Sequence, residues 1–232
     1  MLFNSLLFLF FFIIVTSLYY LLPHKLRWAW LLTASCYFYM YFKPEYILII
    51  LFTIIIDYVA AILIDKAPGR YKRLFLVMSL LANVGVLAYF KYFNFAAENF
   101  NLLSARLNGP VLPMLHLILP IGLSFHTFQA MSYTIEVYRG NQKPEYHFGI
   151  YSLYVMFYPQ MVAGPIERPQ QLLPQLKGMK VFDRKTFCTG IFMMLLGLFK
   201  KVVIADRLGL LVDPVFSDPQ HHSGTDLLIS TY

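Results

Sequence analysis

Charge is what this chain has least of. Asp, Glu, Lys and Arg make up 13% of its 232 residues, and hydrophobic residues make up 59%. Soluble domains carry about 25% charged residues, so an ordinary water-soluble fold is excluded. Cysteine is scarce too. Cys36 and Cys188 lie in different apolar stretches, which favours two small core side chains over a disulfide or a metal pair. The six histidines show no metal-ligand spacing with acids or cysteines, and no metal is expected. There is no internal repeat, low-complexity tract or soluble domain. No basic residue precedes the apolar core of residues 1–24, which argues against a cleaved signal peptide. The net charge of +7 comes from Lys and Arg in short loops between apolar runs. That pattern belongs to membrane orientation and not to nucleic acid.

What the chain does have is long apolar runs: 1–24, 28–42, 46–64 (broken only by Asp57), 74–90, 107–135, 146–166 and 186–199. A helix needs about 20 apolar residues to cross a bilayer. The expected fold is all-α, a polytopic transmembrane bundle forming one membrane domain over 1–232. Helices are expected near 4–22, 28–42, 46–64, 74–93, 111–138, 148–164 and 186–199. The 111–138 segment is too long for one simple span and carries Pro113, Pro120 and Gly122, of which the prolines cannot supply an amide to a helix interior. If every segment crosses once, the loops on the two sides carry equal numbers of Lys and Arg. If 107–138 enters and returns on one side, the count becomes eleven against five. The positive-inside rule then predicts a re-entrant or broken pair at 107–138, an external N-terminus, a cytoplasmic 165–185 loop and an external Arg139–His147 loop.

Several polar groups sit where they are expensive. The run 146–166 is free of charge, yet it ends with Pro159, Gln160, Gly164 and Pro165, followed by Glu167, Arg168 and Pro169. Irregular backbone at membrane depth survives only where protein or a water-filled cavity surrounds it, so Pro159–Pro169 is a candidate wall of a site. On a helix over 123–138, Gln129, Ser132 and Glu136 share one stripe, with Phe125 on the same face and Tyr133 near its edge. Such a stripe either lines a cavity or bonds helix to helix. Asp57 is a lone acid in an apolar segment; a structural role is favoured over proton relay. Gly122–His126 resembles a nucleophile elbow without its last glycine, but no strand precedes it to expose Ser124. His126 lies next to the helix break, and a buried, hydrogen-bonded histidine is its simplest reading.

Three stretches carry a family resemblance. They are Leu119-Pro120-Ile121-Gly122-Leu123-Ser124-Phe125-His126-Thr127-Phe128-Gln129 continuing to Tyr138-Arg139-Gly140, then Phe157 to Ile166, then Gly197 to Arg207. Their order and spacing resemble the membrane-bound O-acyltransferase family, in its bacterial alginate O-acetyltransferase-like branch. The resemblance implies acyl transfer to a hydroxyl on an exported polysaccharide such as alginate, in the bacterial inner membrane. It implies no bound cofactor, with acetyl-CoA or another acyl thioester as co-substrate. It also implies a polysaccharide acceptor or an acyl-relay partner protein. The family's essential histidine belongs to a later Trp-x-x-Trp-His stretch, whereas the tryptophans here are Trp28 and Trp30 alone. The chain is therefore expected to be the front half of such an enzyme, inactive alone, and either truncated or completed by a second polypeptide. No catalytic residue is assigned. The expected tunnel residues are Gln129, Ser132, Tyr133, Gln160, Glu167 and Arg168. The alternatives are a non-catalytic membrane subunit and a secondary transporter, the latter built around Asp57.

Overall fold

A computed structural model describes residues 1, 3–106, 109–115, 122–161 and 164–231. They form two compact units, Met1 with 14–179 and 2–13 with 180–232. The elements are α1 (Leu6–Leu21), α2 (His24–Met40), α3 (Tyr46–Lys66), α4 (Gly69–Arg106), α5 (Leu123–Tyr138), α6 (Phe148–Met156), α7 (Pro169–Lys177), α8 (Arg184–Phe199), a π-helix (Lys200–Ala205), α9 (Asp206–Ser217), a 3-10 turn (Pro219–His221) and α10 (Gly224–Thr231). Among the described residues there is no strand, and the all-α expectation holds. Tyr46–Lys66, Gly69–Ala105 and Arg184–Ser217 are long and apolar enough to cross a membrane. This is a membrane protein.

The core of the first unit is where α3, α4 and α5 meet. Asp57 on α3 is 0% exposed. It accepts hydrogen bonds from Ser79, from Asn83 Nδ2 at 2.8 and 2.9 Å and from Thr134 Oγ1 at 3.4 Å. One carboxylate thus ties three apolar helices together, because hydrocarbon and packed side chains offer it no other partner. Trp30 fastens α2 to α1 by donating its indole N–H to the Val15 carbonyl at 3.0 Å.

Helix α4 has 38 residues, about 57 Å at 1.5 Å per residue, nearly twice the hydrocarbon thickness. The chain then turns back along it without helix. Asn101 pairs with both backbone groups of Leu112 (2.9 and 2.7 Å), and Asn94 does the same for Leu115 (2.7 and 3.0 Å). Two asparagine amides stand in for the partners a helix would have supplied to this Pro110- and Pro113-containing stretch. Within the break expected in 107–138, the described residues 109–115 are not helical, and α5 begins at Leu123 with Gly122 as its cap. Pro120 and Ile121 lie outside the described residues.

The expected position of the Arg139–His147 loop is corrected. Tyr146 donates its hydroxyl to Asp65 at 2.9 Å, at the C-terminal end of α3. That bond, with the Asp65 charge, pushes the Tyr146 phenol above its ordinary range. Tyr58 donates to the Tyr146 carbonyl at 2.6 Å, His147 packs edge-on against Trp28 at 4.6 Å, and Glu145 pairs with Lys177. Loop 139–147 thus sits at the same end of the bundle as 65–73, the start of α2 and the end of α7, whereas the charge count had put it at the opposite end. The helical span expected over 148–164 is also shorter than read: α6 stops at Met156, and the chain folds back to α7. Because Tyr158 bonds Ser35 while Gly149 abuts Trp28, this hairpin rises along α2 by about 10 Å, seven helical residues. It then returns to the end it left.

In the second unit, Asp183 caps α8 by accepting from the Lys185 and Thr186 amides. The Thr186 hydroxyl donates to the same carboxylate at 2.5 Å, and that bond, with the two amide bonds, holds the Asp183 carboxyl below its ordinary range. The π-helix follows, where Lys201 pairs with Asp206, five residues on, the same spacing as a π-helix's backbone hydrogen bonds.

Candidate functional site

The site is built where the 157–168 hairpin meets α5. Gly122 has φ of 78°, a left-handed conformation that glycine adopts without steric cost. A Cβ there would also collide with the Met161 carbonyl oxygen. The missing side chain lets the hairpin tip lie directly on the start of α5. One turn on, His126 Nδ1 donates to the Val155 carbonyl at 3.0 Å. Another turn on, Gln129 bonds both arms of the hairpin. Its Oε1 accepts from the Glu167 amide at 3.1 Å, while its Nε2 donates to Gln160 Oε1 at 3.3 Å and to the Tyr154 carbonyl at 3.5 Å. Tyr154 donates its hydroxyl to the Glu167 carbonyl at 3.0 Å, and Ser35 accepts from the Tyr158 amide at 3.2 Å. These side chains satisfy backbone groups that an irregular, proline-rich segment leaves unpaired.

A small, partly open pocket, with enclosed room for about one water-sized group, lies between these parts. Its polar lining is His126, Gln129 and Gln160; its apolar lining includes Phe125, Val155, Met161 and Ile166. Among the described residues, no group of three or more His, Cys, Asp or Glu side chains is placed to hold a metal.

Of the six expected tunnel residues, the fold brings three together. Gln129 and Gln160 line the pocket, and Glu167 meets Gln129 through its backbone amide. Arg168 is exposed and precedes the first turn of α7. Ser132 is half-buried on α5. Tyr133 is fully buried elsewhere, packed on Tyr151 at 4.6 Å, with its phenol oxygen accepting from the Glu145 amide at 2.7 Å. The polar stripe works largely as a fastener: Gln129 holds the hairpin, and Glu136 accepts from Gln170 Nε2 at 2.5 Å as the chain enters α7. Val162 and Ala163 lie outside the described residues.

His126 was underweighted in the sequence. It falls off the polar stripe, and its Val155 partner is 29 residues away; the only local signal was its place one turn after Gly122. Asp57 has hydroxyl and amide partners in place of a base. An acid so fully engaged with neutral groups at a three-helix junction reads as a structural pin.

The chain is similar to proteins that share most of its length. The peptidoglycan O-acetyltransferase of Helicobacter pylori is 35% identical over 89% of this chain and 45% of its own length. The probable alginate O-acetylases AlgI of Pseudomonas aeruginosa and Azotobacter vinelandii are each 32% identical over 94% of this chain. The chain spans 42% and 45% of those two relatives, less than half of each. No protein-family model and no solved structure matches it.

Proposed function

This chain belongs to the membrane-bound O-acyltransferase family, in its alginate O-acetylase-like branch, and on that premise we propose that it forms the front portion of a membrane O-acetyltransferase. The enzyme moves an acetyl group from acetyl-CoA or another acyl thioester to hydroxyls of an exported or envelope polysaccharide. The observation that carries this reading is the similarity to O-acetyltransferases along nearly all of the chain. The hairpin of 148–168 supports a role as wall of the substrate path, with Gln129 and Gln160 facing the pocket and Glu167 holding the hairpin to Gln129. Ser132, Tyr133 and Arg168 belong to the scaffold around it. A positioned general base is required to activate a sugar hydroxyl, and we assign it to the later half of the fold, which lies outside the part of its relatives that this chain matches. An acyl-relay protein is a further partner.

The enzyme sits in the bacterial cytoplasmic membrane. Loops 23–27, 65–73 and 139–147 together with 168–177 carry ten Lys and Arg, against three in 43–45 and 91–110. The positive-inside rule puts that richer end in the cytoplasm, where an acyl thioester is available. The test is to express the chain alone and together with the later half of the fold, in a bacterium whose envelope polysaccharide is not O-acetylated. Base-labile acetate on the polysaccharide is expected only when both are present. Acetate from the chain alone would overturn the two-part reading, and none from the pair would overturn O-acetyl transfer.

A further inference from the structure

The pocket beside α5 contains a polar atom that the fold leaves unmet. His126 is 3% exposed, and its Nε2 is buried without a hydrogen bond among the described residues. The other ring nitrogen settles the tautomer. The Val155 carbonyl oxygen can only accept, so Nδ1 at 3.0 Å carries the proton, and Nε2 presents a bare lone pair. Buried acceptors are almost always paired in folded proteins, and an exception calls for an explanation. Gln160 lines the same pocket and meets Gln129 through Oε1, which leaves its amide N–H groups to donate. A bare acceptor and an N–H donor in one pocket complement a hydroxyl, the group that gives one hydrogen bond and takes another. Phe125, Met161 and Ile166 supply apolar contact for attached carbon. An acyl carbonyl has no proton for Nε2, so the acetyl group is the wrong occupant.

We propose that this pocket is a hydroxyl-binding subsite, in which His126 Nε2 accepts the O–H of an alcohol and the Gln160 amide donates to its oxygen. The choice of a sugar alcohol rests on the function proposed above; one internal water is the other source of the same chemistry. Tyr39 is a third group to separate, because its ring meets His126 edge-on at 5.9 Å and its hydroxyl is buried without a partner among the described residues.

Nitrogen-15 histidine NMR on the full chain in lipid nanodiscs tests the assignment, with His126→Phe identifying the resonances. Methyl α-D-mannopyranoside is expected to shift the His126 Nε2 signal saturably toward the hydrogen-bonded value. Its fully O-methylated analogue, which has no O–H to give, is expected to leave the signal in place. An Nε2 already hydrogen-bonded without the glycoside, and unmoved by it, overturns the alcohol in favour of water. Loss of that bond on Tyr39→Phe overturns the subsite in favour of an internal pair, as does a proton found on Nε2. An Nε2 that stays bare throughout also overturns it. The readout is independent of acetate transfer, so a saturable shift in the chain, alongside no acetate from the chain expressed with the later half of the fold, would sink the proposed function and leave the subsite standing.

Discussion

Asp57 illustrates what one residue does in an apolar bundle. A buried carboxylate is costly unless its oxygens find donors, and here Ser79, Asn83 and Thr134 come from two neighbouring helices to meet it. Hydrogen bonds between membrane helices average about 0.6 kcal/mol each, so a three-partner junction is worth roughly 2 kcal/mol by the same measure. Asp57→Ala is expected to lower stability by about that amount, read as a drop in the thermal unfolding midpoint in detergent. Asp57→Asn keeps one acceptor and is expected to cost less. An unchanged midpoint for Asp57→Ala would remove the structural role and reopen the transporter reading. A lone acid was legible in the sequence, but its partners were not, because they lie 22 to 77 residues away.

At the scale of elements, the hairpin between α6 and α7 depends on α5. Its backbone is interrupted by Pro159, Gly164 and Pro165, so it cannot satisfy itself as a helix would. Gln129 supplies the central fastening through three bonds, to Tyr154, Gln160 and Glu167. Gln129→Leu fills similar space without those bonds. It is expected to leave the helix content intact while Glu167 and Tyr158 amides exchange with deuterium at least about tenfold faster, as befits about 1.4 kcal/mol of lost local protection. Protection unchanged at Glu167 would count against Gln129 as the clamp. The irregular Pro159–Pro169 stretch was visible in the sequence as a run that begins apolar and ends in prolines. The polar stripe was visible too, but periodicity alone could not separate lining from glue, and the fold assigns it both uses: Gln129 does both, and Glu136 only fastens.

For the whole molecule, the decisive feature is which loops share an end. The Tyr146–Asp65 bond, the Trp28–His147 contact and the Glu145–Lys177 pair gather four segments at one end of the first unit. With that end in the cytoplasm, single cysteines at Lys72 and Lys143 are expected to react with a membrane-impermeant maleimide only after the membrane is opened. A cysteine at Lys43 is expected to react in intact cells. Labelling of Lys143 from outside would restore the arrangement in which 107–138 returns on one side.

Composition and local chemistry determined a good deal by themselves. The apolar runs specify membrane helices because hydrocarbon permits little else. Prolines and Gly122 mark where helix must stop, and the three quoted stretches identify the family. Tertiary structure alone decided that 148–168 returns to the end it left, that 139–147 lies beside 65–73, and that His126 ends in a pocket with one ring nitrogen unmet among the described residues. The reason is range. A helix start or a proline break acts within a turn or two, whereas the Ser35–Tyr158 bond that seats the hairpin spans 123 residues, and no local pattern encodes such a pairing.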